Sequence, residues 1–257
     1  MDSSNKITQD FLDSSQYQID TILAYERIYG EDFVSPGGYD LAVELLSRLE
    51  LEAGARVLDV GCGLGGSAFV MAREFELQVD GIDLSKNMLL IANQKLVANG
   101  LSNKVNLFWG DCLELSGDTT YDAIYSRDVF LHIHDKSRLF SVLYDLLRAG
   151  GQLLFTDYCA GAKPWSNEFN DYVEARNYDL HTIDDYADLI SAAGFEQVVG
   201  EDATPRFAEI LQKEKQRIKH FDIEPGQRSK LEQSWHQKYL RARAREQCWG
   251  IFTARKR

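Results

Sequence analysis

The sequence of 257 residues predicts an α/β fold of the Rossmann-like kind, in which one sheet is flanked by helices. Short apolar segments alternate with helical segments from residue 56 onward, and the first apolar segment runs straight into a glycine-rich turn. Strands separated by helices need right-handed crossovers, so we expect these strands to lie parallel.

Two amphipathic helices are predicted before the first strand. Apolar residues recur at helical spacing over 17–29, and Gly30 follows as a natural end of that helix. A Ser-Pro-Gly-Gly turn at 35–38 separates it from a second amphipathic helix over 41–49. We expect residues from about 9 to 50 to form a helical N-terminal lid.

The central part of the chain is predicted to alternate between strands and helices. Five apolar segments are predicted to be strands, and they lie at 56–60, 78–82, 104–109, 121–126 and 152–156. A helix is predicted at 86–99, because Ser85 can cap its first turn and Gly100 can end it. A second helix is predicted at 136–148, where leucine and phenylalanine side chains share one face.

The pattern changes after Asp157. Residues 158–193 are predicted to be mostly helical, and 206–246 form a charged helical stretch. Strands at 195–201 and 249–254 bring the predicted total to seven. The charge pattern of 206–246 leaves two possibilities open, a substrate-binding insertion and a merely solvated helical face.

Composition limits the classes of partner and compartment. A formal net charge of -12 argues against a nucleic-acid partner, which normally requires a basic surface. No segment approaches the roughly 20 apolar residues that span a bilayer, and the N-terminus lacks a signal-type apolar run. The cysteines are widely spaced and form no CxxC pair, which favours a reducing compartment. We therefore expect a cytoplasmic protein.

The segment VLDVGCGLGG at 57–66 is the strongest local motif. Glycine lets a turn tighten and lets backbone N–H groups approach a ligand without a Cβ in the way. Gly61, Gly63 and Gly66 also satisfy the GxGxxG pattern of dinucleotide-binding proteins. However, Asp59 stands two residues before Gly61, as in the D/E-x-G-x-G form that is typical of methyltransferases.

Acidic residues at the ends of the next strands favour S-adenosylmethionine as the ligand. Asp83 ends the second strand, 22 residues after Gly61, where a carboxylate can accept both ribose hydroxyls. Asp111 follows the third strand, where this class commonly contacts the adenine amino group. A dehydrogenase would normally continue into a second mononucleotide-binding half, whereas this chain continues into a helical stretch and a last strand.

Motifs outside this core resemble those of phosphoethanolamine methyltransferases. The motifs are QYQIDTILAYERIYGEDFVSPGG at 16–38, YSRDVFLHI at 125–133, TDYC at 156–159, DYVEARNYDL at 171–180 and WGIF at 249–252. The resemblance covers roughly residues 9 to 256 and departs at Pro36 and at LLRAGG over 146–151. It implies a seven-stranded methyltransferase sheet with a helical lid and a helical substrate-binding insertion. It also implies S-adenosylmethionine-dependent methylation of phosphoethanolamine, in up to three steps, to phosphocholine.

The resemblance also assigns roles to individual residues. It makes Tyr17 and His132 a catalytic dyad, and it places Gln16 and Asp128 at the amine end of the substrate. The implied phosphate-binding set is Tyr158, Tyr172, Arg176, Tyr178 and Lys238. The implied cofactor contacts are Tyr25, Val34, Ser35, Gly61, Asp83, Leu84, Asp111, Cys112 and Arg127, to which the glycine loop adds Gly63.

The chemistry of methyl transfer fits these residue types. Methylation needs a lone pair on nitrogen, whereas an aliphatic ammonium has a pKa of about 10.4. A histidine with an ordinary pKa of about 6.5 can take that proton, so activity is expected to rise with pH through such a value. Tyr172 and Arg176 share one helical face if 166–176 is helical, and a guanidinium can bind phosphate with two donors.

Several alternatives stay open from the sequence. The acceptor could be another small amine such as glycine or its methylated forms, and a non-catalytic cofactor-binding protein or an NAD-dependent oxidoreductase are further possibilities. His132 and His134 could suggest a metal pair, but no third ligand lies at a useful spacing, so we expect no metal. The sequence does not distinguish among the three methylation steps.

We expect one domain and a monomer. Its predicted parts are the lid at about 9–50, an S-adenosylmethionine-binding core at 51–157, and a substrate-binding insertion with the last strands at 158–257.

Overall fold

A computed structural model describes residues 7–117 and 120–257, and it contains a seven-stranded sheet. The strands are β1 Arg56–Val60, β2 Gln78–Asp83, β3 Val105–Trp109, β4 Tyr121–Arg127, β5 Leu147–Ala160, β6 Glu196–Asp202 and β7 Gln247–Arg255. Their order across the sheet is β3-β2-β1-β4-β5-β7-β6. The first five strands are parallel, and β7 runs antiparallel between β5 and β6. The predicted fold class is confirmed.

Helices surround the sheet in the predicted alternation. They are α1 Gln9–Phe11, α2 Ile19–Tyr29, α3 Gly38–Leu46, α4 Gly66–Glu74, α5 Lys86–Ala98, α6 Lys136–Leu146, α7 Asn167–Arg176, α8 Ile183–Ala192, α9 Thr204–Ile218 and α10 Pro225–Arg243. A π-helical turn occupies Leu12–Gln16, and short 3-10 turns occupy Cys112–Glu114 and Phe130–His132.

Local capping chemistry explains where α5 begins and ends. The Ser85 hydroxyl accepts a hydrogen bond from the backbone N–H of Met88, as its position before the helix predicts. Gly100 follows the helix with a φ of +66°, a conformation that glycine adopts without steric cost. The predicted bounds of this helix are therefore close to the observed ones.

Several predicted boundaries differ from the structure. The second amphipathic helix, predicted over 41–49, runs from Gly38 to Leu46. The first long helix begins at Ile19 rather than at residue 17, because a π-helical turn precedes it. The helix predicted to reach residue 148 ends at Leu146, where β5 takes over. Strand β5 continues to Ala160, so the first residues of the segment expected to be helical extend the sheet by pairing with β7.

Apolar side chains cover both faces of the sheet. On one face, Phe155 of β5 and Phe252 of β7 stack with ring centroids 4.6 Å apart, and both side chains are fully buried. On the other face, Trp249 of β7 stacks on Phe207 of α9. Burial on both faces is expected of a sheet that helices flank on each side.

Helices α9 and α10 pack against each other and α9 packs against β7, so residues 206–246 are more than a solvated face. Phe207, Leu211 and Ile218 of α9 are fully buried, and Trp235 of α10 is buried against them. Within the described ranges, no helix combines the length and apolar character needed to cross a bilayer.

Candidate active site

One cavity of about 630 Å³ opens beyond the carboxyl ends of the central strands. Its walls include Val60 at the end of β1, Ile82 in β2 and Arg127 at the end of β4. Every site residue predicted from the sequence lines this cavity. Ligands of open α/β sheets bind at this edge, beyond the carboxyl ends of parallel strands.

The glycine loop forms one end of the cavity. Gly61 has a φ of +70°, and a Cβ there would lie 2.2 Å from a methyl carbon of Val129. The backbone N–H of Gly63 donates to Asp83 Oδ2 over 2.8 Å, and that of Ser85 donates to Asp83 Oδ1 over 2.8 Å. The loop is therefore compact, and it holds the Asp83 carboxylate at the cavity wall.

Burial raises the pKa of two carboxylic acids at this end of the cavity. Burial raises the pKa of Asp83 to about 6, although backbone N–H groups oppose the rise. Burial also raises the pKa of Asp59 to about 7, and the nearby Asp83 adds to that effect. Asp59 is buried beneath the loop and is not among the residues that line the cavity. Hydrogen-bond donors stabilise the charged form of a buried carboxyl such as that of Asp83, and ribose hydroxyls are such donors.

The wall next to Asp83 is largely apolar. Asp111 Oδ1 accepts from the backbone N–H of Leu113 over 2.9 Å and so caps the short turn that begins at Cys112. Leu113 and Ile133 complete this wall and were not predicted from the sequence.

Arg127 anchors the loop that crosses the cavity above the glycine turn. Its guanidinium is buried and donates to the carbonyl oxygens of Pro36 and Gly38, the latter over 3.1 Å. The loop carries Val34 and Ser35 into the cavity wall. Because the contact uses the carbonyl of residue 36, the proline at this position, which departs from the family pattern, keeps the interaction.

Tyr17 and His132 meet in the middle of the cavity. The Tyr17 hydroxyl lies 3.1 Å from Nε2 of His132, although the two residues are far apart in sequence. Burial, together with the nearby positive charges of Arg176 and Lys136, lowers the pKa of His132 to about 3. The imidazole is therefore neutral, and the ordinary pKa assumed from the sequence is wrong for this histidine.

Asp128 lies beside the dyad in a left-handed backbone conformation, with a φ of 58°. Its Oδ1 accepts from the indole N–H of Trp249 over 2.7 Å and from the Thr156 hydroxyl over 3.3 Å. Its Oδ2 is buried and finds no hydrogen-bond partner within the described part of the chain. Burial raises the pKa of this carboxyl, so a cationic ligand would stabilise its charged form.

The π-helical turn delivers Gln16 and Tyr17 to the cavity. The backbone N–H of Tyr17 donates to the Leu12 carbonyl over 2.7 Å, which closes the wide turn. The Gln16 amide donates to the Arg176 carbonyl over 3.0 Å and so connects the N-terminal segment to the end of α7. Turns of this kind often occur at functional sites.

Tyrosines and cations form the other end of the cavity. Tyr172 and Arg176 share one face of α7, with the guanidinium carbon 5.9 Å from the Tyr172 ring centroid. Lys238 Nζ lies 3.4 Å from the hydroxyl of Tyr158, and burial lowers its pKa to about 8. The ring of Tyr178 packs edge-on against His132, so the cationic end adjoins the dyad. The predicted helical register of Tyr172 and Arg176 is confirmed.

Sequence reasoning missed four residues at this end. Three of them, Tyr29, Trp235 and Arg241, line the cavity. The fourth, Glu214, lies behind the wall and accepts a hydrogen bond from the indole of Trp235. The spacing of three residues between Trp235, Lys238 and Arg241 would have indicated that they share one face of a helix. The buried Glu214 gave no sequence signal, because its partners lie in the Gly37 loop and in α10.

Metal ligation has no geometric support in this cavity. Across residues 7–117 and 120–257, no three or more His, Cys, Asp or Glu side chains are grouped to hold a metal ion. His132 faces Tyr17, whereas Nε2 of His134 lies 3.2 Å from the carbonyl oxygen of Asn177. The cysteines are buried free thiols.

Comparisons with known proteins agree with this geometry. A family model described as a methyltransferase domain matches residues 57–151. Phosphoethanolamine N-methyltransferase 3 of Arabidopsis thaliana is 41% identical over 96% of this chain and 52% of its own length. The Plasmodium falciparum phosphoethanolamine N-methyltransferase is 34% identical over 96% of this chain and 95% of its own length.

A solved structure matches nearly the whole chain. It is phosphoethanolamine N-methyltransferase 2 of Haemonchus contortus in complex with phosphomonomethylethanolamine and S-adenosylhomocysteine. The TM-score is 0.93 at 35% identity, and the match covers 96% of this chain and 59% of that chain. This chain therefore spans about half the length of the plant relatives and nearly all of the Plasmodium relative.

The sheet order, the antiparallel β7 and the cavity at the carboxyl ends of the strands place the chain in the seven-stranded methyltransferase class. Within that class, the chain belongs to the phosphoethanolamine N-methyltransferase family.

Proposed function

We propose that the protein transfers methyl groups from S-adenosylmethionine to the amine of phosphoethanolamine, of its mono- and dimethyl forms, or of all three, leading to phosphocholine. One observation carries the proposal: a nucleotide-type end and a cationic end meet at the Tyr17–His132 pair in one cavity. Tyr17 is close enough to both ends that the charges of Asp83 and Arg176 both act on its hydroxyl.

The residues at the nucleotide end fit S-adenosylmethionine. Asp83 would accept the ribose hydroxyls, and the wall formed by Cys112, Leu113 and Ile133 would enclose the adenine. The glycine loop is compact because a Cβ at Gly61 would clash with Val129, and the N–H of Gly63 holds the Asp83 carboxylate at the cavity wall. The bound cofactor supplies a methyl group on a sulfonium centre.

The cationic end fits a phosphate monoester, which carries about -1.5 to -2 charges at pH 7. Arg176 offers a planar pair of donors, Lys238 offers a point charge, and the tyrosine hydroxyls add further donors. At the opposite end of a short substrate, the unpaired Oδ2 of Asp128 is placed to accept from an ammonium group. A carboxylate acceptor such as glycine would not need this many donors.

The neutral imidazole of His132 removes the proton from the substrate ammonium. The ammonium gives one proton to the imidazole, the freed lone pair attacks the methyl carbon, and the cofactor leaves as the neutral thioether. The low pKa of the imidazole partly reflects the charge of Arg176, and a bound phosphate dianion would offset that charge. Tyr17 holds Nε2, so the ring keeps one orientation while the proton moves.

A panel of acceptors tests this function. Purified protein with S-adenosylmethionine should form S-adenosylhomocysteine with at least one of phosphoethanolamine and its mono- and dimethyl forms, and not with glycine or sarcosine. Turnover of glycine or sarcosine alone would favour the related small-amine methyltransferases. Cofactor binding without turnover of any acceptor would favour a non-catalytic protein.

We also propose that the protein acts as a monomer in the cytoplasm, with a small-molecule substrate and no nucleic-acid partner. The acidic net charge of -12 supports the last point.

A further inference from the structure

One face of helix α10 lines the cavity. Trp235, Lys238 and Arg241 follow one another at intervals of three residues, and all three line the cavity wall. Trp235 is anchored by its indole N–H, which donates to the buried Glu214 over 2.9 Å. The face therefore carries two cations toward the same end of the cavity, and only Lys238 belongs to the predicted phosphate set.

The Arg241 guanidinium is held in one orientation by two neighbours. Its Nε donates to Oε1 of Gln247 over 3.0 Å, and Gln247 is fully buried in β7. Its central carbon lies 3.9 Å from the centroid of the Tyr172 ring, which is close stacking for a guanidinium. The Nη1 and Nη2 amino groups make no hydrogen bond or ion pair with the residues that the structure describes.

Three cations converge at this end, and the carboxylates that act on Lys238 there, Glu214 and Asp128, are outnumbered by them. The charges of Arg176 and Arg241 both oppose protonation of Lys238, so the three groups lie within electrostatic range of one another. The Tyr172 ring is shared by the two guanidinium groups. Glu214 favours the charged form of Lys238, but its oxygens already accept from Gly37 and Trp235. Such an arrangement is unfavourable when empty and is relieved by a bound dianion.

We infer that Arg241 is a third cationic ligand of the substrate phosphate and a residue that determines specificity for the dianion. The inference rests on the proposed function and deepens it. Because Nε and the ring stacking fix the guanidinium, its two free amino groups can bind phosphate oxygens with little further loss of side-chain freedom. Lysine at this position would keep the charge but would lose both the Nε anchor and the paired donors.

Calorimetric titration of the protein saturated with S-adenosylhomocysteine tests the inference. Phosphoethanolamine and inorganic phosphate are the probes, and the variants are Arg241→Gln, Arg241→Lys and Arg243→Gln. The exposed Arg243 lies on the same helix, so its replacement removes the same net charge and serves as the matched control. We expect Arg241→Gln to weaken binding of both probes by about 10- to 100-fold. Arg241→Lys should recover only part of that loss, and Arg243→Gln should change little.

The outcomes separate this inference from the proposed function. Unchanged affinity in Arg241→Gln, with normal phosphoethanolamine binding by the unaltered protein, would overturn the role of Arg241 alone. An equal loss of S-adenosylhomocysteine affinity in that variant would overturn it in favour of a structural role. If the unaltered protein binds S-adenosylhomocysteine but none of phosphoethanolamine and its mono- and dimethyl forms, the proposed function fails, and the inference fails with it.

Discussion

At His132, the surrounding protein removes the imidazole from water and places two cations nearby. The resulting pKa of about 3 means that the ring is neutral before substrate binds. We expect NMR titration of histidine-labelled protein to show no protonation of this ring between pH 5 and 8. The signal is assigned by its loss in His132→Gln, and titration near pH 6.5 would contradict the described environment.

The contact between Tyr17 and His132 predicts that the two residues act as one unit. His132→Gln should lower kcat by about 10²- to 10⁴-fold, because a general base is removed. Tyr17→Phe should also lower kcat, since the ring remains but the hydroxyl that orients Nε2 is lost. The double variant should be little worse than His132→Gln alone. Single-turnover rates of the three variants measure this, and fully additive losses would show that the two side chains serve separate roles.

The raised pKa of Asp83 leads us to expect that cofactor affinity depends on pH. Its pKa in the free protein is about 6, and hydroxyl donors from a ribose would favour the charged form and so lower that pKa. Binding must then release protons near pH 6, and affinity must rise as pH increases from 5 to 7.

Calorimetry of S-adenosylhomocysteine binding in buffers of different ionisation enthalpy measures this proton release. Asp83→Asn should abolish it and weaken binding by about 10- to 100-fold. Affinity that is independent of pH, with no proton released, would remove Asp83 from the ribose-binding role.

At the scale of elements, the N-terminal segment is held against the start of α5. The Asn87 amide donates to the carbonyl of Tyr17 over 2.9 Å and to that of Asp13 over 3.3 Å. The Asp13 carboxylate in turn accepts from the hydroxyl of Ser85. Helix α5 begins three residues after Asp83, so this contact joins the N-terminal segment to the end of the cavity that Asp83 lines.

Replacing Asn87 should loosen the lid without unfolding the sheet. We expect Asn87→Ala to lower kcat several-fold and to increase hydrogen exchange over residues 9–18, because the Tyr17 carbonyl loses its donor. Asn93→Ala is the matched control, since the Asn93 amide bonds to Leu89 within the same helix. Equal exchange in the two variants would show that Asn87 does not position the lid.

At the scale of the whole molecule, the alternation of strands and helices and many of the residues that line the cavity could be predicted from the sequence. Both depend on local signals, such as the glycines after β1 and the Ser85 cap of α5. The charge state of His132 could not be predicted, because it depends on burial and on Arg176 in another element. The support that Glu214 gives to α10 and the placement of Arg241 likewise depend on packing between α9, α10 and β7.

The length of β5 was missed for a related reason. Residues after Asp157 resemble a helical segment in isolation, yet Tyr158 and Cys159 pair with Trp249 and Cys248 of β7. This pairing extends the sheet and brings Tyr158 to the cationic end of the cavity, within 3.4 Å of Lys238. Pairing partners about 90 residues away leave no periodic signal in the segment itself.

The central claim is that the cationic end of the cavity binds the phosphate of the substrate, while the Tyr17–His132 pair deprotonates its amine. The most direct measurement is a competition experiment analysed by mass spectrometry. The protein receives S-adenosylmethionine with a deuterated methyl group, together with an equal mixture of a phosphobase and its unphosphorylated amine, and each phosphobase is tested in turn. The account predicts that the label enters only the phosphorylated acceptor, at nitrogen. Equal labelling of the two amines, or labelling of neither while the cofactor is bound, would contradict it.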